Sequence, residues 1–270
     1  MRHHQISFLK GNIHCVSEGK GRCIVLLHGF LGSVEVWKHV IPILSKSFKV
    51  IAIDLPGHGK SDCFGYAHSM ELMADAVHQV LKYFKIKKCV MIGHSMGGYV
   101  SLAFAQKYPE MLKGLCLFHS TAYPDSEEKK KDRNRAIQIV KNNPSLFIRP
   151  MIKNLFSKKN IKYLKEEILL ATGVALQTPV QGIIAALIGM RDRQSYIRIL
   201  KESPFPIMMI IGKYDNVLPY NILLEQCELI QNKECLFLEY DGHYGLLENP
   251  KYTGIAIRKF ARKCFNTIKN

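Results

Sequence analysis

The sequence predicts an α/β fold: a mostly parallel eight-stranded sheet flanked by helices, with a helical cap inserted between the sixth and seventh strands. Eight short apolar runs bounded by turn residues read as strands. From the third run onward they alternate with segments of helical periodicity, the pattern of a parallel sheet with helices on both faces. Residues 119–206 separate the sixth run from the seventh. Ordinary loops rarely exceed about 12 to 15 residues, so a folded insertion is expected there.

The first two runs, Ile6–Leu9 and Ile13–Val16, are separated by Gly11-Asn12 as in a hairpin, which places one antiparallel pair at the start of the sheet. Cys23–Leu27 and Lys49–Ile53 are the third and fourth strands, and Met70–Phe84 has the spacing of an amphipathic helix. Cys89–Ile92, the helical pattern Tyr99–Lys107 and Leu115–Phe118 follow in turn. The insertion carries helical patterns at Glu127–Lys141, Leu146–Phe156, Ile161–Val174 and Pro179–Met190, broken at Asn142-Asn143-Pro144 and Thr178-Pro179. Residues 122–203 are therefore assigned as a cap over the strand ends, and 1–121 with 204–270 as the core domain. Ser203-Pro204-Phe205-Pro206 reads as the return hinge. Ile207–Ile211, Tyr220–Ile230, Cys235–Leu238 and Tyr252–Phe265 complete the alternation as strand, helix, strand and helix.

A chain of 270 residues, 47% hydrophobic, suffices for one large core carrying an insertion. The formal net charge of +16 raises the question of nucleic acid. The basic residues are spread, however, and the densest pieces (Lys85 to Lys88, Lys129 to Arg135, Lys153 to Lys165) sit at helix ends or alternate with apolar positions. Solvated faces account for that, and a second reading is help in attracting an acidic substrate. No nucleic-acid partner is expected. Met1 to Lys10 lacks the apolar stretch of a secretory signal, and no run approaches membrane-spanning length. The eight cysteines show neither Cys-x-x-Cys pairs nor ligand spacing, and several fall inside apolar runs. A reduced, cytoplasmic protein without metal or cofactor is expected.

The chemistry is concentrated at Gly93-His94-Ser95-Met96-Gly97, between a strand-like run and a helix-like one. A Gly-x-Ser-x-Gly turn holds its serine in a strained conformation at the apex, with glycines where side chains would collide, so Ser95 is the candidate nucleophile. His28-Gly29-Phe30-Leu31-Gly32-Ser33 follows the third strand. Acyl transfer needs two backbone N–H groups aimed at an oxyanion, and Phe30 and Met96 are the candidates. Asp54-Leu55-Pro56-Gly57-His58-Gly59-Lys60-Ser61 reads as a rigid loop, with Asp54 and His58 structural; its glycine spacing is wrong for a phosphate-binding loop. After the seventh strand, Asp215 lies at the sheet edge where ligands gather in open parallel sheets. After the eighth, Asp241-Gly242-His243-Tyr244-Gly245 offers His243 on a glycine-flanked loop. The order Ser95, Asp215, His243 is that of a nucleophile, acid and base on this kind of sheet, with Asp125 and Asp241 as alternative acids.

With these motifs the chain resembles the α/β-hydrolase superfamily over nearly its full length. The resemblance implies an α/β-hydrolase fold, a serine nucleophile, a histidine base, an acid at Asp215 and an oxyanion site at Phe30 and Met96. A serine at the apex disfavours dehalogenases and epoxide hydrolases, which carry aspartate there. The expected activity is hydrolysis of a small or medium carboxylic ester through an acyl-enzyme, by a carboxylesterase-like member. Carbon-carbon bond hydrolases and cofactor-free perhydrolases share the triad. The menaquinone-pathway lyase resembles the chain around His28 to Ser33, although Tyr99 stands where that enzyme usually has arginine. A receptor-like, ligand-binding member with little turnover is the alternative of another class. His119, Ser120, Tyr123, Tyr99 and Trp37, with Phe147 and Met151, are the candidate substrate-binding residues, His119-Ser120 foremost. The expected partner is a small acyl substrate, and the protein a monomer or homodimer.

Overall fold

The computed structural model describes residues 1–266. One sheet holds all eight strands in the order β1-β2-β4-β3-β5-β6-β7-β8. They are β1 (Arg2–Phe8), β2 (Gly11–Glu18), β3 (Cys23–Leu27), β4 (Lys49–Ile53), β5 (Cys89–His94), β6 (Leu112–Phe118), β7 (Ile207–Gly212) and β8 (Lys233–Leu238). β2 runs antiparallel to both its neighbours, and every later pairing is parallel. Every residue of β3, β5 and β7 is buried, which explains their unbroken apolar runs: strands covered on both faces have no solvent side to alternate toward. At the edges the pattern thins, to Ile6 on β1 and Leu238 on β8.

The hairpin differs from expectation by two residues. Phe8 pairs with Gly11, so the turn is Leu9-Lys10, with Leu9 at φ 50°, and Gly11 belongs to β2. Register decides this: pairing Ile6 with Ile13 puts both apolar side chains on the buried face, and a one-residue slip would expose them.

Helices α1 (Ile41–Ser45) and α11 (Pro250–Asn266) pack together, as do α2 (Met70–Tyr83) and α3 (Met96–Lys107). Ser69 caps α2 by accepting the Leu72 N–H, and the apolar face of that helix is buried from Met70 to Leu81. Between β6 and β7 lie α4 (Glu127–Asn142), α5 (Pro144–Asn154), α6 (Lys165–Leu176), α7 (Val180–Arg191) and α8 (Ile197–Glu202). α4 touches both α5 and α7, and α5 touches α6. Helix α6 begins four residues later than its periodicity predicts. Residues 157–164 form turns in which Asn160 donates to the Tyr240 carbonyl and to Glu248, a tertiary anchor that periodicity cannot register. After β7 come α9 (Tyr220–Glu228) and, after β8, α10 (Gly245–Glu248). The expectation of reduced cysteines is corrected at one pair: Cys227 on α9 and Cys235 on β8 form a disulfide, since the short α9–β8 turn brings the two sulfurs together. The other six cysteines are free.

Asp54 ties the loop after β4 to its surroundings. Its carboxylate accepts the Val34 N–H (2.7 Å), the Lys60 N–H (2.9 Å) and a bond from His14 Nδ1 (2.7 Å). Burial by itself would raise the Asp54 pKa, but these donors outweigh it and hold the carboxyl below its ordinary value. His58 is wholly buried, donates from Nδ1 to the Pro56 carbonyl, and is pushed down to about 3 by burial and by His28, so it is a neutral loop residue. Asp54→Ala strands two backbone donors and His14, and is expected to destabilise the protein by about 3 kcal/mol. A urea titration checks this as a lowered midpoint at unchanged slope.

Candidate active site

β5 ends at His94 and α3 begins at Met96, so Ser95 alone makes the turn, at φ 51° and ψ −116°. Such a conformation costs an L residue on the order of 1–3 kcal/mol and persists only where the surroundings over-determine it. Here they do. The Ser95 N–H donates to the Phe118 carbonyl (2.9 Å), and the Ser95 carbonyl accepts from the Gly98 N–H and the Ser120 hydroxyl, both at 2.8 Å. A Cβ on Gly97 would lie 2.4 Å from the Leu27 carbonyl oxygen, and one on Gly93 2.3 Å from that of Gly97. No larger residue fits at either place.

From the apex a line of hydrogen bonds runs inward. The Ser95 hydroxyl donates to His243 Nε2 at 2.8 Å, and His243 Nδ1–H donates to Asp215 Oδ2 at 2.7 Å. The other carboxylate oxygen accepts the Val217 and Leu218 N–H groups at 2.7 and 2.9 Å, which fixes the rotamer of Asp215 and hence the plane of the imidazole. Burial alone would raise the Asp215 pKa. His243 overcomes it and holds the carboxyl well below the usual carboxylate range. An ionised acid that accepts from Nδ1 leaves Nε2 bare to accept a proton from Ser95.

Two more buried histidines brace this line. His94 Nε2–H donates to the His243 carbonyl (2.8 Å), and burial together with His243 pushes the His94 pKa well down, so it stays neutral. His119, at φ 45°, accepts the Gly212 N–H (3.2 Å) and lies 3.6 Å from Asp215. On the other side of the base, the His243 N–H donates to the Leu155 carbonyl at 2.7 Å, a bond from the insertion to the sheet. Neither the Phe30 N–H nor the Met96 N–H donates to any acceptor among the described residues.

Ser95 and His243 face a cavity of about 240 Å³. Tyr99, Phe147 and Met151 line it as expected, together with Phe30. The other expected contacts stand elsewhere. Ser120 and His119 are behind the turn, Ser120 spent on the Ser95 carbonyl; Trp37 is wholly buried in the core against Phe118. Tyr123 is on the surface, its carbonyl accepting from Arg193. Asp125 is held by Arg133 and Arg193, and Asp241 makes no bond to His243, so of the three candidate acids Asp215 is the one bonded to His243. Lys129, Asp132 and Arg133 on α4, with Leu187 and Met190 on α7, line the cavity without having been foreseen. A helical pattern shows that Leu187 and Met190 are buried but not what they face.

Residues 22–250 match the alpha/beta hydrolase fold family. This chain belongs to the alpha/beta hydrolases. It is 27% identical over 250 residues to the uncharacterized hydrolase YugF of Bacillus subtilis, covering 88% of this chain and 89% of that protein. A thermophilic esterase from Thermogutta terrifontis, solved with malate bound, superposes with a TM-score of 0.92 at 30% identity, covering 98% of this chain and 99% of that one. The 2-hydroxy-6-oxo-6-(2'-aminophenyl)hexa-2,4-dienoic acid hydrolase of Metapseudomonas resinovorans is 22% identical, covering 86% and 81%.

Among the described residues of this alpha/beta hydrolase, no group of three or more His, Cys, Asp or Glu side chains could hold a metal, and no single helix is long and apolar enough to cross a membrane. Asp241, two residues before the base, is pushed up from 3.8 to about 6 by burial and by Glu248. A raised carboxyl pKa gives stability that is fully present below 3.8 and lost as pH rises through about 6. Asp241→Asn is expected to abolish that decline. The stability difference between variant and wild type should shift by on the order of 2–3 kcal/mol in the variant's favour between pH 4 and pH 7.5, read by urea unfolding at each pH.

Proposed function

We propose that this alpha/beta hydrolase is a carboxylesterase acting on small or medium esters, with Ser95 as nucleophile, His243 as base and Asp215 as the acid that orients it. The observation that carries the reading is the unbroken line from the Ser95 hydroxyl through His243 to a buried, ionised Asp215, opening on a mostly apolar cavity. As Ser95 Oγ bonds to the ester carbonyl carbon, its proton passes to His243 Nε2 and the carbonyl π electrons move to oxygen. The Phe30 and Met96 N–H groups, free of acceptors among the described residues, receive that oxyanion. The imidazolium then returns the proton to the departing alcohol, and His243 takes a proton from water as it hydrolyses the acyl-enzyme, restoring Ser95. Helices α4 to α7 serve as a cap that keeps bulk water from the cavity.

A volume of about 240 Å³ is below the ~300–1,000 Å³ of sites for drug-sized ligands, which supports a modest acyl group. The likeness to the Thermogutta esterase supports ester chemistry. The likeness to the dienoic acid hydrolase supports a second reading, hydrolysis of a carbon-carbon bond by the same three residues.

Hydrolysis of p-nitrophenyl esters from acetate to decanoate is expected to peak at short or medium chains and to disappear in Ser95→Ala. Activity retained by that variant would remove Ser95 from the chemistry, while turnover of a vinylogous 1,5-diketone ring-cleavage product without ester turnover would favour the second reading. Asp215→Asn preserves shape but stabilises the wrong tautomer of His243, and is expected to lower kcat by about 10³- to 10⁴-fold. Asp125→Asn, measured alongside, is expected to show no comparable loss.

A further inference from the structure

The cavity wall formed by α4 carries a charge arrangement that ester cleavage does not require. Asp125 is a buried carboxylate shared by two guanidiniums, Arg133 Nε at 3.0 Å and Arg193 Nη1 at 2.6 Å. One negative charge between two positive ones leaves a surplus of one positive charge. Arg193 is buried as well, stacked 4.0 Å above the ring of Tyr99, and Tyr99 and Arg133 both line the cavity. Lys129 stands four residues before Arg133 on α4 and lines the same cavity. Its ammonium has no ion pair or hydrogen bond among the described residues, whereas Asp132, the one carboxylate on this wall, is engaged by Arg135 at 3.3 Å. The remaining lining is largely apolar: Phe30, Phe147, Met151, Leu155, Leu187 and Met190.

A half-buried cation with no partner beside surplus buried positive charge leaves anion-binding capacity unused. In a partly desolvated cleft an anion arriving there gains a charge-assisted hydrogen bond and suffers little screening. We propose that Lys129, backed by the Arg133-Asp125-Arg193 cluster, is a subsite for a carboxylate carried by the substrate, so that the preferred substrates are half-esters of short dicarboxylic acids. The subsite rests on the ester reading of the same cavity and names the class of ester. The overall charge of +16 would steer such anions toward the protein.

The test compares the half-ethyl esters of glutarate, adipate and suberate with ethyl esters of monocarboxylic acids of equal acyl length. The reading is the ratio of kcat/KM, anionic over neutral, at the best of the three lengths. Wild type is expected to favour the half-ester, Lys129→Met to lower the ratio about tenfold, and Lys129→Arg to keep most of it. Calorimetric binding of the same half-esters to Ser95→Ala, with and without Lys129→Met, reads the subsite without the chemistry. Tenfold weaker binding in the double variant supports it even where neither ester is turned over, a result that would sink the ester reading alone. A ratio and a binding constant that Lys129→Met leaves unchanged at all three lengths would overturn the subsite while leaving serine-dependent ester turnover standing.

Discussion

A single residue takes the chain from β5 into α3, and the rest of the molecule is arranged so that it can. At φ 51° Ser95 is strained, and the strain is bearable because Gly93 and Gly97 clear space for backbone on either side, Phe118 accepts its N–H, and Ser120 and Gly98 donate to its carbonyl. All five of those partners lie on β5, on β6 or just beyond, or in the first turn of α3. The parallel register of β5 with β6, Gly93 opposite Leu117 and His94 opposite Phe118, is therefore also what sets the direction of the serine hydroxyl. Packing of the sheet and reactivity of one side chain are the same constraint seen at two scales.

Around that turn the structure concentrates histidines where water is scarce. His94 and His119 are wholly buried near His243, and burial keeps both neutral in the physiological range. Neutrality matters because three imidazoles within about one ring-contact distance of each other could not all be charged beside a single carboxylate. The negative charge of Asp215 is thus left with one hydrogen-bonded imidazole, that of His243, on one oxygen and two backbone N–H groups on the other.

Much of this was legible in the sequence, and the exceptions share a cause. All eight strands were visible because buried parallel strands are continuous apolar runs, and Ser95, Asp215 and His243, each just after a strand, are brought within hydrogen-bond distance. Short helices such as α1, α8 and α10 span less than two turns and leave no periodic trace. Trp37 looked like pocket lining because an aromatic near a strand end fits the core and the cavity equally well in one dimension. Ser120 looked like a substrate contact for the same reason. The Leu155 carbonyl, held by the His243 N–H, has no signature at all, since every residue carries a carbonyl. In the sequence Lys129 is one member of a basic run; that its neighbour Arg133 is paired with Asp125 is a tertiary fact.

The bond from His243 to Leu155 does not stand by itself. Glu248 accepts both the Gly242 N–H and the Ser157 N–H, and Asn160 donates to Glu248 and to the Tyr240 carbonyl. The end of α5 and the loop carrying the base are thus sewn along one seam, in which a Cβ on Gly242 would come within 2.5 Å of the Ser157 nitrogen. Across the cavity α7 is fastened too, its Ala185 carbonyl accepting the His68 N–H and its Gly182 pressed on Gly57, so the helices above Ser95 are pinned to the core at two opposite margins and the cavity keeps its shape between them.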